Sequence, residues 1–472
     1  MVERPNILII MPDQQRADCL SCAGHPQVRT PNMDRIASQG VRFTQATTVS
    51  PVCMPARASF ANSLYPHNHG MWRNRGCMPA GDDTFFHQMQ SAGYFTAYIG
   101  KSHYYGHGGM GHMRNYEGYM HARGLEYVHE VTGPLATRST RSYMTDRLEE
   151  HDLYEAFKED YAERGKLRGE NPFLVRPSPL PVEHFLDSYV GQQAASFIEG
   201  YSDQRPLCLF VGFPGPHEPW DAPGEYAEMY DPEDTPDPIP YSENDMSIPA
   251  EIREMEDFQP MGCSTQDNIR RIRANYYGKI SLIDRWVGEI LDACDDSGLG
   301  EDMMTVYWSD HGELLGDHRR VFKMTFHESS MRVPLMVSWP GHIDGGQTCD
   351  SLVEIIDVYP TLMEAINTEP PVRCMGRSLF PVLNEPGSTF RDSQLSEICF
   401  ADERRICLRT QDYKYSVRQN GDGYMLYDLS EDPDEQNNLV CQGNVIEGEM
   451  RDRLFRRIMA SQYTMNLCDQ LG

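Results

Sequence analysis

The chain has 472 residues, 40% of them apolar and 10% aromatic, which excludes a disordered polypeptide and suffices for two or three packed units. With 42 Lys plus Arg against 70 Asp plus Glu, the formal net charge of -28 excludes nucleic acid or an anionic membrane surface as the main partner. An anionic substrate would be repelled by such a shell, so its pocket would have to concentrate basic residues locally.

In chain order, the first residues lead directly into a strand-like run at 7–11, with no basic leader, long apolar stretch or small-residue cleavage site before it. The expectation is a cytoplasmic protein, or a periplasmic or secreted one if a leader has been removed. Thirteen scattered Cys fit reduced thiols, and the lone Cys19/Cys22 pair reads as small hydrophobes rather than a zinc site. Residues 32–40 and 268–295 carry helical patterns. Strand-length apolar runs recur at 95–99, 207–212, 304–308 and 335–337, the pattern of an α/β fold with a mostly parallel sheet between helices. No apolar run reaches the ~18 residues that span a bilayer, so no membrane passage is expected.

Residues 106–181 are polar and without sheet-like runs, so a segment of about 106–200 is expected as an insertion that shapes a pocket. The acidic, Pro-rich stretch 231–249 reads as a surface excursion. Beyond a boundary near 370, short antiparallel strands are expected at 406–409, 414–417 and 425–428, then a helix at 446–462. This gives an α/β domain at 1–370 and a C-terminal subdomain at 371–472. Met450, Leu454 and Ile458 suit packing of the last helix on the core, with a homo-oligomer contact as the alternative.

Chemistry-bearing residues gather at the ends of the predicted strands, where open α/β sheets bind ligands. Asp13-Gln14 follow the first run and Asp310-His311 follow 304–308, together a candidate site for one divalent metal ion. Gly100-Lys101-Ser102-His103 follows 95–99, and Pro214-Gly215-Pro216-His217 follows 207–212. Cys53-Met54-Pro55-Ala56-Arg57 opens a helical stretch with Arg57 one turn beyond Cys53, and Lys323 lies in a loop before 335–337.

These blocks, in this order, resemble the formylglycine-dependent sulfatases of the alkaline phosphatase superfamily. Cys53-x-Pro55-x-Arg57, with Tyr65-Pro66-His67 and Gly70 after it, is similar to their C-x-P-x-R signature. Gly376-Arg377-Ser378-Leu379 and the run from Leu426 through Asp432-Pro433 are similar to their C-terminal segments. The resemblance implies an alkaline-phosphatase-like fold: a large mixed, mostly parallel sheet between helices, plus a small C-terminal antiparallel sheet and helix. It also implies that a maturation enzyme oxidises Cys53 to formylglycine (3-oxoalanine). The metal would then be held by Asp13, Gln14, Asp310, His311 and the group derived from Cys53. Asp-Gln with Asp-His departs from the arylsulfatase pairs and resembles phosphonate monoester hydrolases and choline sulfatases. With fewer carboxylates and one imidazole, calcium is expected and manganese or zinc admitted.

The chemistry is coherent without the family. An aldehyde at position 53 hydrates to a geminal diol, a cation acidifies one hydroxyl into a nucleophile, and the second hydroxyl expels sulfate. Arg57 would hold the diol. The resemblance implies that Lys101 and Lys323 bind the sulfate oxygens, an electrostatic stabilisation that is usually the largest catalytic contribution. His217 or Lys323 is the expected general acid and His103 the base of the elimination step. Asn74 and His327 are candidate substrate contacts, with a turn residue and an exposed loop histidine as their plainer readings. The expected reaction is hydrolysis of a small anionic sulfate ester, such as a sulfated saccharide. The alternatives are a phosphonate monoester or phosphodiester hydrolase, and a binding protein with unconverted Cys53.

Overall fold

A computed structural model describes residues 4–79, 83–167, 174–241, 265–400 and 402–462. Sixteen strands are assigned among them. In chain order they are β1 (Asn6–Asp13), β2 (Gly40–Phe43), β3 (Ala46–Thr47), β4 (Phe95–Gly100), β5 (Gly111–His112), β6 (Tyr127–Glu130), β7 (Thr140–Arg141) and β8 (Leu207–Pro216). There follow β9 (Met303–Trp308), β10 (Leu335–Ser338), β11 (Gln347–Cys349), β12 (Val353–Glu354), β13 (Gln394–Phe400), β14 (Glu403–Arg409), β15 (Tyr413–Arg418) and β16 (Gly423–Asp428). Eight form one sheet in the order β11-β2-β10-β9-β1-β8-β4-β6.

The centre of that sheet is parallel because its strands are buried on both faces, and helical crossovers supply the covers. Side chains of β1 alternate: Ile7, Ile9 and Met11 enter one core, Leu8 and Ile10 the other. The first core is closed by the Cys53–Asn62 helix, the Val358–Ala365 helix, and Met450 and Leu454 of the Val445–Ala460 helix, which packs on the core as expected. The second is closed by the Pro31–Ser38, Leu186–Glu199 and Gln266–Asp296 helices. Strands β13 to β16 make the separate antiparallel sheet.

Strand β10 runs antiparallel to both β9 and β2, so the sheet is mixed and mostly parallel, as expected. Other expectations need correction. Residues 106–181 do contain a strand of the main sheet: β6 pairs in parallel with β4 at the sheet edge. Its Tyr127-Val128-His129-Glu130 reads as polar because an edge strand is only partly covered. The helix expected at 32–40 ends at Ser38, and Gly40 begins β2. Strand β13 was not expected. Of the excursion at 231–249, residues 242–249 lie outside the described residues.

The long Gln266–Asp296 helix touches the main body so closely that Gly278 has no room for a side chain: a Cβ there would lie 2.0 Å from the Tyr226 carbonyl oxygen. Gly278→Ala is expected to lower stability by about 1–3 kcal/mol. An unchanged urea midpoint would show that this contact is loose.

Candidate active site

Parallel strands deliver their C-terminal ends to one edge of the sheet, and that edge carries the site. Strand β1 ends at Asp13, β4 leads into Lys101, β8 leads into His217, and β9 is followed by Asp310 and His311. Because β10 is antiparallel to β9, the segment between them leaves and returns at this same edge, which brings Lys323 in. Strand β2 runs in the same sense as β9, so the chain beyond it reaches the edge too and begins the Cys53–Asn62 helix there. Helix N-termini favour negative charge, so Cys53 stands where an anion is stabilised.

Asp13, Cys53, Asp310 and His311 are all buried, and one ligand-type atom of each lies within 4.8 Å of the others. Cys53 Sγ is 3.1 Å from His311 Nε2 and 3.9 Å from Asp13 Oδ1. His311 Nε2 is 4.0 Å from Asp13 Oδ1 and 3.8 Å from Asp310 Oδ1, too far for hydrogen bonds. Such spacings are those of donors sharing one cation, and two carboxylates, one imidazole and one side chain at position 53 are a donor set that calcium, manganese or zinc accepts. The residues therefore fit a divalent ion. Gln14, the fifth expected ligand, turns sharply out of β1 with φ +71°. Its amide accepts a hydrogen bond from Lys323 and donates to Glu313 and, at 3.1 Å, to Glu218.

Cations surround this acidic centre. Arg57 joins the two carboxylates, with Nη2 2.8 Å from Asp13 Oδ2 and Nε 2.8 Å from Asp310 Oδ2, while Nη1 donates to the Lys101 carbonyl at 2.6 Å. Lys101 pairs with Asp13. Burial opposes ionisation of Asp13, but Lys101 and Arg57 prevail over it and hold the carboxyl well below its usual range. Burial likewise opposes a thiolate at Cys53, yet Lys323 and His311 keep that thiol well below its usual pKa. Burial alone would lower His311; Asp310 and Cys53 raise it to about 9.

The remaining predicted residues fall into place around Cys53, with one exception. His103, at φ +54°, hydrogen-bonds Cys53, and burial with Lys101 nearby lowers it to about 3, so its imidazole is neutral near pH 7. His217 Nε2 lies 2.8 Å from Lys323 Nζ, and its Nδ1 is 2.7 Å from the Glu218 carbonyl oxygen, so Nδ1 carries the hydrogen and Nε2 accepts from the ammonium. Lys323 sits between Phe322 and Met324, both at positive φ, the sparsely populated backbone that gathers at functional sites. Asn74 accepts from the Met54 amide at 3.0 Å and points Nδ2 at Cys53 Sγ, 3.8 Å away. His327 does not join the group. It is buried, not an exposed loop residue, and stacks on His318 at 4.1 Å with Thr325 and Tyr427 as further neighbours.

Four supporting residues escaped the reading of the sequence. Glu218 and Glu313 flank Gln14, and burial together with Glu218 pushes Glu313 up to about 8. Lys279, from the long helix, donates to the His217 carbonyl at 2.7 Å and pairs with Asp221, which fixes the His217 loop. Gly133, beyond β6, leaves space over the Lys101 ammonium, which a Cβ would approach to 3.0 Å. Adjacency to His217 and Asp310 was the available signal for the two glutamates; nothing local marks Lys279 or Gly133.

The comparisons agree with this geometry. Residues 5–368 match the family model described as Sulfatase, and 316–462 match that of the N-sulphoglucosamine sulphohydrolase C-terminal region. An arylsulfatase of Clostridium perfringens (strain 13 / Type A) is 28% identical over 97% of this chain and 94% of that protein. A choline-sulfatase of Rhizobium meliloti (strain 1021) is 29% identical over 99% and 88%. The crystal structure of a phosphonate monoester hydrolase of Agrobacterium radiobacter has the same fold, with a TM-score of 0.76 at 23% identity over 97% of this chain and 95% of that one. The family match covers most of the chain, and the strand ends it spans carry the acidic, basic and cysteine residues just described: the chain belongs to the sulfatase family.

Proposed function

We propose that this protein hydrolyses the sulfate ester of a sulfated carbohydrate, using formylglycine made from Cys53 by a maturation enzyme and one divalent cation. The observation that carries the reading is the convergence of Asp13, Cys53, Asp310 and His311 within 4.8 Å. Arg57, Lys101 and Lys323 around them supply the local positive charge that an anionic ester needs in a protein of net charge -28. The cation, once bound, supplies Lewis acidity, and the oxidised side chain at position 53 supplies the nucleophile. Asp13, Asp310 and His311 would hold the ion, with calcium the expected occupant.

The protein groups do the rest. Lys101 and Lys323 bind sulfate oxygens, where preorganised charge in a buried site stabilises the transition state most. The proton for the departing alkoxide comes from Lys323 Nζ, whose other N–H groups are held by His217 Nε2 and Gln14 Oε1 so that the ammonium is oriented towards the leaving group. Neutral His103 takes a proton from the group at position 53 as sulfate is released. Residues 1–370 form the catalytic domain in this reading, with 371–472 as a subdomain braced against it by Arg409 and Lys414 on Glu328.

Comparing turnover of 4-nitrophenyl sulfate and 4-nitrophenyl phenylphosphonate tests the reaction. A preference for sulfate of about tenfold or more, about 1.4 kcal/mol, supports it. The opposite preference would replace it with phosphonate monoester hydrolysis, which His311 in the donor set and Asn74 beside Cys53 favour. Dialysis against a chelator is expected to abolish sulfate release, and Ca2+, Mn2+ or Zn2+ added singly will identify the working ion. At about 100 times its Kd that ion adds about 2.7 kcal/mol of stability, visible as a rise in Tm.

A further inference from the structure

Beside the catalytic centre lies a cavity of about 420 Å3 whose inner wall includes Glu218 and Phe322, the sequence neighbours of His217 and Lys323. Its outer wall is built by the segment after β6 and by the Tyr154–Leu167 helix, and it holds three cations: Arg138, Arg164 and Lys166. Among the described residues neither Arg138 nor Lys166 has a carboxylate partner; Arg138 donates only to the nearby Leu135 carbonyl, at 3.1 Å. Gly165 makes room for Arg138, since a Cβ there would meet Nη1 at 2.7 Å.

Two further donors in this wall are buried and unsatisfied. Arg164 is only 7% exposed; it pairs with Asp160 and donates to the carbonyls of Arg176 and Pro177, but its Nη1 has no acceptor among the described residues. Trp220 is 1% exposed and its indole N–H has no acceptor among them either. An unpaired buried donor is costly and calls for an acceptor, which the described residues do not provide here. The one carboxylate in the lining among the described residues, Glu218, is held by Gln14 and lies 3.1 Å from His217 Nδ1. Trp220 and Phe322 lie parallel, with centroids 6.3 Å apart, and give the cavity an apolar floor.

We infer that this cavity receives the leaving-group alcohol and that its basic wall binds a second anionic substituent on that alcohol, a carboxylate or another sulfate. The substrate is then a sulfate ester of a doubly anionic saccharide unit. This rests on the sulfatase reading for what is cleaved but not for what is bound.

The test compares three esters with the scissile sulfate at one position: methyl glucoside monosulfate, methyl glucoside disulfate and methyl glucuronide monosulfate. One or both of the doubly charged esters is expected to have a kcat/KM about tenfold or more above that of the monosulfate, and which one does so names the second anion. In Arg138→Gln/Lys166→Gln that ratio is expected to fall towards one. The exposed pair is chosen because Arg164 also braces the wall, so its loss can unfold it. Calorimetry with the sulfate-free methyl glucuronide and with methyl glucoside bearing only the non-scissile sulfate, each against methyl glucoside, reads the same preference without turnover. Equal binding and equal turnover of charged and neutral compounds would overturn the inference, as would a preference that survives in the double variant. If no ester releases sulfate while a charged ligand still binds through Arg138 and Lys166, the reaction is wrong and the anion site stands.

Discussion

Arg57→Met is expected to lower kcat/KM by about 100- to 1000-fold, and to destabilise the metal-free protein by about 3–5 kcal/mol. Both effects have one source. The Arg57 guanidinium is 1% exposed and spans Asp13 and Asp310 at 2.8 Å each. Methionine fills similar space but leaves two buried carboxylates short of their shared counter-charge. The stability loss should shrink when a divalent ion is added, because the ion neutralises the same carboxylates. Arg57→Lys should recover only part of the activity, since one ammonium cannot reproduce the planar two-sided contact. A Met variant with full activity and an unchanged urea midpoint would mean that the pair contributes nothing to the site.

Cys53→Ala is expected to leave the fold intact and reduce sulfate release by about 10^4-fold or more. The side chain is small and 1% exposed, so the change costs little packing, whereas Lys101, Lys323 and the carboxylates would surround no nucleophile. Mass spectrometry of the peptide across Cys53 provides the direct check. Conversion replaces sulfur by oxygen and removes two hydrogens, so active protein should show that mass loss. Fully active protein with an intact thiol would remove formylglycine from the mechanism and leave Cys53, which Lys323 and His311 already favour as thiolate, as the nucleophile to examine.

The features legible in the sequence were those with a local signature. Strands β1, β4, β8 and β9 are near-continuous apolar runs because both faces are covered, and the loops after them announce themselves by abrupt polarity at Asp13, Lys101, His217 and Asp310. Strand β6 lacked such a run because it sits at the edge, so the pocket wall beyond it, with Arg138, read as part of a pocket-shaping insertion whose individual residues nothing marked. His327 shows the limit from the other side. It was a candidate substrate contact, but it begins the short Glu328–Met331 helix and its ring turns to His318 and Tyr427.

What the sequence determined by itself was the inventory: an α/β pattern, an acidic shell, and a Cys-x-Pro-x-Arg block in order with strand-end Asp, His and Lys residues. These depend on composition and on spacing over a few residues, which apolar runs and polar breaks record directly. Only the tertiary structure decided which of those residues meet. Lys323 reaches Gln14 across 309 positions, Lys279 reaches His217 across 62, and Arg57 reaches Asp310 across 253. Such contacts follow from strand order, parallel register and the antiparallel return of β10, each set by burial of the whole sheet. No stretch of a few residues contains that information.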